Sequence, residues 1–424
     1  MRRCCVEGVA VRLSPGRSGV IRFPAILGLF AAAAFVHLSA ASSGPMPVVP
    51  ADELGRIPRV FPAEGFSSGN PLVSPLFFEG APWRGQPTRV FAWLGLPKVP
   101  EGTRVPGVVL IHGGGGTAFA SWVGLWVERG YAAIAFDTSG SLPQPEGDPR
   151  SRNPVGGPPG GSAVFAQLAE PLVDQWPFHA LTAAVRAHSL LRAQPCVDPA
   201  RTGVTGISWG GYLTCLFAGT DPRLSFAIPV YGCGDYGQTV FAAKLAGLPP
   251  SLSAFWREQW DASLYLPRAR IPMLWVNGTN DHFFWIPAWQ ASHRMIDPGR
   301  RTLCLRVGMK HGHPPEGDPP EVVAFANSLV CGADPLPSVH SSSVDGGVFR
   351  ALYSSPRPIQ RLELIFCTDA ESPWEKKAWQ TQSLPIQGGK VEVPLVRGVR
   401  FCFLNVTDAR GLVSSSEVFF LPAP

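Results

Sequence analysis

One pattern recurs through most of the chain: a short run of consecutive apolar residues, then a stretch with apolar residues at helical spacing, then another run. The runs are Thr88–Leu94, Val105–His112, Tyr131–Asp137, Thr202–Ile207, Ser225–Tyr231, Pro272–Asn277 and Thr302–Val307. A strand that is apolar at successive positions buries both of its faces, which happens chiefly in parallel sheets covered by helices on either side. Between the runs, Leu181, Ala184, Val185, His188 and Leu191 share one helical face, as do Tyr212, Leu213, Leu216 and Phe217 after Ser208. The pattern predicts an α/β fold with a mostly parallel, doubly wound sheet over residues 71–334.

The alternation stops near Cys331–Ser338, where Gly, Pro and Ser cluster. Beyond it, Leu362, Leu364 and Phe366 alternate with Arg361, Glu363 and Ile365, Val391, Val393 and Leu395 alternate with Lys390 and Glu392, and Phe401 and Phe403 keep the same period. About five short strands fit a small all-β sandwich over residues 335–424. No acid–base constellation is visible there, so a structural packing role is expected ahead of a sugar-binding one. Residues 42–70 are rich in Pro, Gly and Ser and read as an exposed arm. Two or three units agree with a length of 424 residues.

The formal charge is +5, but five arginines and one glutamate lie in residues 1–41, which leaves the rest nearly neutral. No nucleic-acid partner is implied. Those arginines precede an apolar run from Pro24 through Leu38, and small residues Ser39-Ala40-Ala41 follow it. The run is shorter than the roughly 20 residues a membrane helix needs, and the order of segments is that of a secretory signal. Cleavage near Ala41 and a secreted or periplasmic mature protein, without a stable membrane span, are expected. Cys4 and Cys5 fall in this segment. The remaining cysteines are Cys196, Cys215, Cys233, Cys304, Cys331, Cys367 and Cys402, an odd number without any C-x-x-C pair, so neither a zinc site nor a disulfide scaffold is indicated.

The sharpest local signal is Gly206-Ile207-Ser208-Trp209-Gly210, placed between an apolar strand and an apolar-periodic helix. A serine on so tight a strand-to-helix turn is forced outward, and glycine flanks it where a Cβ would collide with neighbouring backbone. A serine hydroxyl attacks an acyl carbon only with an imidazole base and a carboxylate that holds that base. Asp281 follows the strand Pro272–Asn277, and His311 follows Thr302–Val307. Each stands in a loop just beyond a strand. His313 is the alternative base, but it precedes Pro314-Pro315 and is the more constrained of the two. A metal held by His311 and His313 is not expected, since no third ligand has suitable spacing.

Acyl transfer also needs donors aimed at the developing oxyanion. The strand Val108–Ile111 ends in His112-Gly113-Gly114-Gly115-Gly116, so the backbone N–H of Gly114 or Gly115, with that of Trp209, is expected to serve. His112 reads as a brace for this loop.

With the order Ser208, Asp281, His311, residues from about 71 to 330 resemble an α/β-hydrolase of the acetylxylan esterase and dienelactone hydrolase kind, and the prolyl oligopeptidase catalytic domain is similar. The resemblance implies an α/β-hydrolase fold and an acyl-enzyme mechanism carried by Ser208, Asp281 and His311. It also implies an oxyanion held by the N–H of Trp209 and by the loop Gly113–Gly116. Acetylxylan esterases of this kind are compact and lack a C-terminal sandwich, so the resemblance does not extend past the layered domain.

Gly232-Cys233-Gly234-Asp235-Tyr236-Gly237 matches a dinucleotide fingerprint, but Pro249-Pro250 and a Trp-rich stretch follow where a Rossmann unit needs a helix and a second strand. No cofactor is expected. The Pro- and Gly-rich stretch Ser139–Asp174 is read as a lid over the site. Trp285 and Trp176 are candidates for the substrate pocket. The expected activity is hydrolysis of a carboxylic ester, with a small-molecule or carbohydrate ester as partner and deacetylation of a carbohydrate as the leading case. The alternatives are a serine peptidase of the oligopeptidase type, against which the short span between Ala41 and Pro71 argues, and a non-catalytic binding protein on the same fold.

Overall fold

The computed structural model of the protein describes residues 49–143 and 151–422. The segment expected to be a secretory signal, Cys4, Cys5 and part of the Ser139–Asp174 stretch lie outside the described residues. The strands of the layered region are β1 (Val60–Pro62), β2 (Val73–Trp83), β3 (Gln86–Gly95), β4 (Val105–Ile111), β5 (Ala132–Phe136), β6 (Ser141–Leu142), β7 (Ser151–Arg152), β8 (Val197–Ile207), β9 (Phe226–Val230), β10 (Met273–Gly278) and β11 (Arg301–Arg306). Nine of them form one sheet in the order β1-β2-β3-β5-β4-β8-β9-β10-β11, while β6 and β7 make a small separate hairpin. From β5 to β11 every neighbour is parallel, and β1, β2, β3 and β5 are joined antiparallel. This is the doubly wound, mostly parallel sheet of an α/β-hydrolase, and each apolar run of the sequence is one of its strands.

The helices are α1 (Ala120–Glu128), α2 (Trp176–Arg192), α3 (Trp209–Ala218), α4 (Ala242–Ala246), α5 (Pro250–Phe255), α6 (Ile286–His293) and α7 (Pro320–Val330). Period-two strand geometry sends alternate side chains to two cores. In β5, Ala132, Ile134 and Phe136 face the core shared with α2, α3 and α6, whereas Ala133 and Ala135 face the one shared with α1 and α7. In β10, Met273 and Trp275 divide from Leu274 and Val276 in the same way. Both faces of the sheet are therefore dry, and its loops at the carboxyl ends of the strands are held to a rigid frame.

Two expectations need correction. Residues 42–70 are expected to be an exposed arm, but of these the described residues 49–70 are tied down: β1 pairs with β2, Glu53 accepts hydrogen bonds from the buried Arg186 at 2.8 and 2.7 Å, and Phe66 packs on Phe91. The strand β2 escaped the sequence pattern because it contains Pro75 and Pro82. The neighbour β1 covers only Leu76, Phe77 and Phe78, so both prolines sit where one side of β2 is open and a missing N–H is tolerated.

The C-terminal strands are β12 (Ser338–Asp345), β13 (Val348–Ser354), β14 (Ile359–Cys367), β15 (Gln380–Ser383), β16 (Lys390–Pro394), β17 (Phe401–Asp408), β18 (Val413–Ser415) and β19 (Phe419–Phe420). They form a three-stranded and a five-stranded sheet around a core that includes Phe349, Leu362, Leu364, Cys402, Leu404 and Val406. The opposite face of β14 and β17 sends Ile365 and Phe403 into the core of α2 and α3. The sandwich and the layered region consequently belong to one compact unit. All seven described cysteines are free thiols, and five of them are buried. Among the described residues no helix is long and apolar enough to cross a membrane.

Candidate active site

Ser208 stands between the end of β8 and the start of α3 with φ 56° and ψ −121°, in the left-handed half of backbone space that a non-glycine residue avoids. The strain is held from both sides: the Ser208 N–H donates to the Val230 carbonyl at 3.0 Å, and its own carbonyl accepts from Tyr212 N–H at 2.9 Å. The turn is close-packed. A Cβ on Gly210 would collide with the Ile111 carbonyl, and one on Gly232 with the Ser208 carbonyl. The second glycine belongs to the sequence that mimics a dinucleotide fingerprint, so its purpose is to let the loop after β9 pass under the serine turn. The rest of that loop is held by the buried Asp261, whose carboxylate accepts from the N–H of Asp235 at 2.8 Å and Tyr236 at 3.0 Å.

Asp281 lies just past β10. One of its carboxylate oxygens accepts from the N–H of Phe283 at 2.9 Å and of Phe284 at 2.7 Å, and the other meets His311 Nδ1 at 2.6 Å. The carboxylate is fully buried and the imidazole nearly so, at 1% and 9% exposure. The acid thus fixes Nδ1 as the protonated nitrogen and leaves Nε2 as the basic one. His311 is further packed by the rings of Tyr231 and Phe283, at centroid distances of 4.2 and 4.8 Å. Tyr231 is itself in the left-handed region, with φ 33°, and its hydroxyl donates to the Gly312 carbonyl. Burial pushes that phenol well above the usual tyrosine range, so it stays a donor.

His311, not His313, is therefore the histidine paired with Asp281. His313 packs instead on Phe119, at 4.8 Å between ring centroids, beside Gly113 and Gly116.

Ser208 and His311 line one cavity of about 410 Å³, together with Gly113, Gly114, Gly115 and Trp209. Two residues that the sequence singles out, Ser208 and His311, thus share one wall with the glycine loop. The loop has its own brace. Thr138 N–H donates to His112 Nε2 at 2.9 Å, so the proton of this buried imidazole is on Nδ1, which reaches the Gly113 carbonyl at 2.7 Å. Gly116 N–H donates to the same carbonyl at 2.9 Å. Two donors on one carbonyl fix the plane of the peptide that carries the Gly114 N–H.

The described part of the Ser139–Asp174 stretch reaches this site: Ser162 lines the cavity, and Gly161 lies against Gly114. The two pocket tryptophans are misplaced by the sequence reading. Trp176 is buried behind Trp209, its ring 5.5 Å away, with its indole N–H donated to the Thr138 carbonyl at 2.5 Å. Trp285 precedes α6 and is absent from the cavity wall. The tryptophan that lines it is Trp209, joined by Phe241 and Phe283, which stack at 6.3 Å. Phe283 follows Asp281 by two residues, and a reading of the whole loop rather than of its tryptophan would have found it.

Residues 73–239 match the acetyl xylan esterase family model, a span that includes the glycine loop and Ser208 and ends before Asp281 and His311. Among solved structures, acetyl xylan esterase 1 from Thermoanaerobacterium sp. JW/SL YS485 is similar at 19% identity and a TM-score of 0.49, over 66% of this chain and 90% of its own. The acetyl xylan esterase from Paenibacillus sp. R4 gives 18% and 0.49, over 64% and 88%. The Pyrococcus horikoshii acylaminoacyl peptidase gives 17% and 0.46, over 62% and 43%. A comparison with curated proteins found no match. The chain has the fold of an α/β-hydrolase, and over residues 73–239 it is similar to the acetyl xylan esterases.

Proposed function

We propose that the protein is an exported serine esterase that removes acetyl groups from a carbohydrate through an acyl-enzyme. In this reading His311 Nε2 takes the proton of the Ser208 hydroxyl as the oxygen attacks the ester carbonyl, and Asp281 stabilises the imidazolium that results. The N–H groups of Trp209 and of the Gly114–Gly115 segment receive the oxyanion. His311 then returns the proton to the departing sugar hydroxyl. Water, deprotonated by the same imidazole, attacks the acetyl-serine, and acetate leaves with Ser208 restored.

The observation that carries the proposal is the strained serine turn sharing one cavity with an imidazole whose Nδ1 is bound by a buried carboxylate. The family match over residues 73–239 supports an ester as substrate. The export part of the reading rests on residues 1–41 of the sequence. Hydrolysis of p-nitrophenyl acetate and of an acetylated sugar by the purified protein tests it. Ser208→Ala is expected to lower kcat by about 10³-fold or more. Turnover that survives this substitution, or preference for peptides over acetyl esters, overturns the assignment.

A further inference from the structure

The residue before Asp281 joins both histidine and carboxylate loops of the site to the C-terminal sandwich. Asn280, half-buried, donates both hydrogens of its side-chain amide to sandwich carbonyls, that of Lys377 at 2.9 Å and that of Glu375 at 3.3 Å. Carbonyls only accept, so the amide oxygen must face the other way. There it accepts from the Thr279 hydroxyl at 2.8 Å, and that hydroxyl in turn accepts from the Gly308 N–H at 3.0 Å. Gly308 belongs to the loop that carries His311, and the two loops meet again where a Cβ on Gly278 would collide with the Met309 carbonyl. One directed chain of hydrogen bonds therefore runs from the loop of His311, through the loop of Asp281, into the sandwich.

The acceptors on the sandwich side sit in the irregular segment between β14 and β15, which contains only the short turn Trp374–Lys376. No strand ladder sets its course. Lys377 does: the residue is 4% exposed, and its ammonium donates to the carbonyls of Asp369, Ala370 and Ser372 at 3.0, 3.1 and 2.8 Å. An ammonium has three donors, and each has its carbonyl. The same nitrogen lies over the rings of Trp374 and Phe401, at 5.0 and 4.8 Å. Burying a charge is costly, and packing alone is served by apolar side chains, as it is at Ile365 and Phe403. What the ammonium adds is direction. Three carbonyls drawn to one point close the segment, and the closed segment presents its next two carbonyls to Asn280.

We propose that Asn280 and Lys377 are positioning residues of the hydrolytic centre, and that the sandwich is a buttress that sets where Asp281 and the loop of His311 stand. Neither side chain lines the Ser208 cavity, so both act through the loops. The contact they maintain is the one of 2.6 Å between Asp281 and His311 Nδ1, and a misplacement of about 1 Å in such a constellation costs on the order of 10²-fold in rate. The proposal deepens the esterase reading and rests on it for its kinetic readout alone.

The test compares Asn280→Ala and Lys377→Met with Ser415→Val, which loosens the sandwich at Leu305 without touching Asn280 or residues 369–377. With p-nitrophenyl acetate, Asn280→Ala is expected to lower kcat about ten-fold while KM stays within about two-fold, and Lys377→Met to do as much or more. Ser415→Val is expected to leave both constants near the wild type. The rate at which a fluorophosphonate labels Ser208 is expected to fall in parallel with kcat. In NMR spectra the downfield Nδ1 proton of His311, assigned by its loss in His311→Gln, is expected to shift or broaden in the first two variants and not in the third. Losses of kcat that merely follow thermal stability across all three variants overturn the proposal, as does wild-type kcat in Asn280→Ala, which decides the matter if Lys377→Met does not fold. If the wild type is labelled but hydrolyses no acetyl ester, the esterase reading fails by itself and the labelling rates judge the buttress. If it is not labelled either, the His311 proton decides: a signal displaced in Asn280→Ala upholds the buttress, and an unchanged one removes it.

Discussion

At the scale of single residues, the site depends on a few side chains held in positions they would not adopt alone. Ser208 and Tyr231 both have positive φ, and each follows a central strand whose register is fixed by parallel neighbours. Tyr231 is the less expected of the two. Its ring lies against His311 while its hydroxyl holds the Gly312 carbonyl, so it clamps the loop on which His311 is carried. It touches no reacting atom, and its role is to position the imidazole. Tyr231→Phe is expected to lower kcat about ten-fold with little change in KM, because the ring contact survives while the loop loses its anchor. Equal loss in kcat and in thermal stability, or a change confined to KM, would show that the hydroxyl serves the fold or the substrate instead. The pairing of Asp281 with His311 was legible in the sequence as strand-end placement. The choice between His311 and His313 rested there on a proline, and the 2.6 Å contact with Asp281 gives it a direct cause.

At the scale of elements, β11 is the last strand of the nine-stranded sheet, and an uncovered edge invites pairing with other chains. The protein covers it with its own C-terminal strands. The Leu305 N–H donates to the Ser415 hydroxyl at 2.8 Å, the Leu305 carbonyl accepts from the Asn405 side chain at 3.2 Å, and Ser415 in turn donates to Asn405 at 2.6 Å. The start of α7 joins the same seam, since Glu321 accepts from Val413 N–H at 2.8 Å and pairs with Arg306. Ser415→Val leaves the buried Leu305 N–H without an acceptor, and a cost of about 2 kcal/mol is expected in urea unfolding, with more aggregation on storage. An unchanged midpoint would mean that water replaces the hydroxyl and that the seam is not tight. The loop that carries Asp281 is tied to the sandwich as well. Asn280 donates to the Lys377 carbonyl at 2.9 Å, which links the second part of the chain to the site.

At the scale of the whole molecule, burial holds three imidazoles, those of His179, His188 and His293, in their neutral form. Burial pushes His188 and His293 below the usual histidine range, the first despite its bond to Asp221, and His179 down to about 4 against the opposing effects of Val173 and Asp174. The unfolded chain protonates such a group near 6.5, so between about 6.5 and 4 the unfolded state binds the extra proton first and stability falls as pH falls. Above about 6.5 both states are neutral and the contribution is fully present. For His179 the loss from neutral pH to pH 4 approaches about 3 kcal/mol. Urea unfolding of the wild type and of His179→Gln at pH 7.5, 5.5 and 4 measures it. The variant is expected to lose less stability across that range, and parallel curves would show that His179 is hydrated in the folded protein.

Much of this protein is determined by the sequence alone, because local rules are strong where both faces of a strand are buried and where a turn admits only glycine. The parallel strands, the helices after Phe178 and Ser208, the serine turn and its partners beyond β10 and β11 follow from such rules. Other features obey no local signal. The strand β2 hides behind prolines that only an open edge permits, Trp176 is core because Trp209 lies over it, and Glu53 and Phe66 are tied down by Arg186 and Phe91, far along the chain. The joining of the sandwich to the layered region is of the same kind: Ile365 and Phe403 read as ordinary members of an alternating strand, and only the packed molecule shows that they face a second core. Period and turn chemistry act over a few residues and are written in order, whereas burial against a distant segment is settled only when the whole chain has collapsed around it.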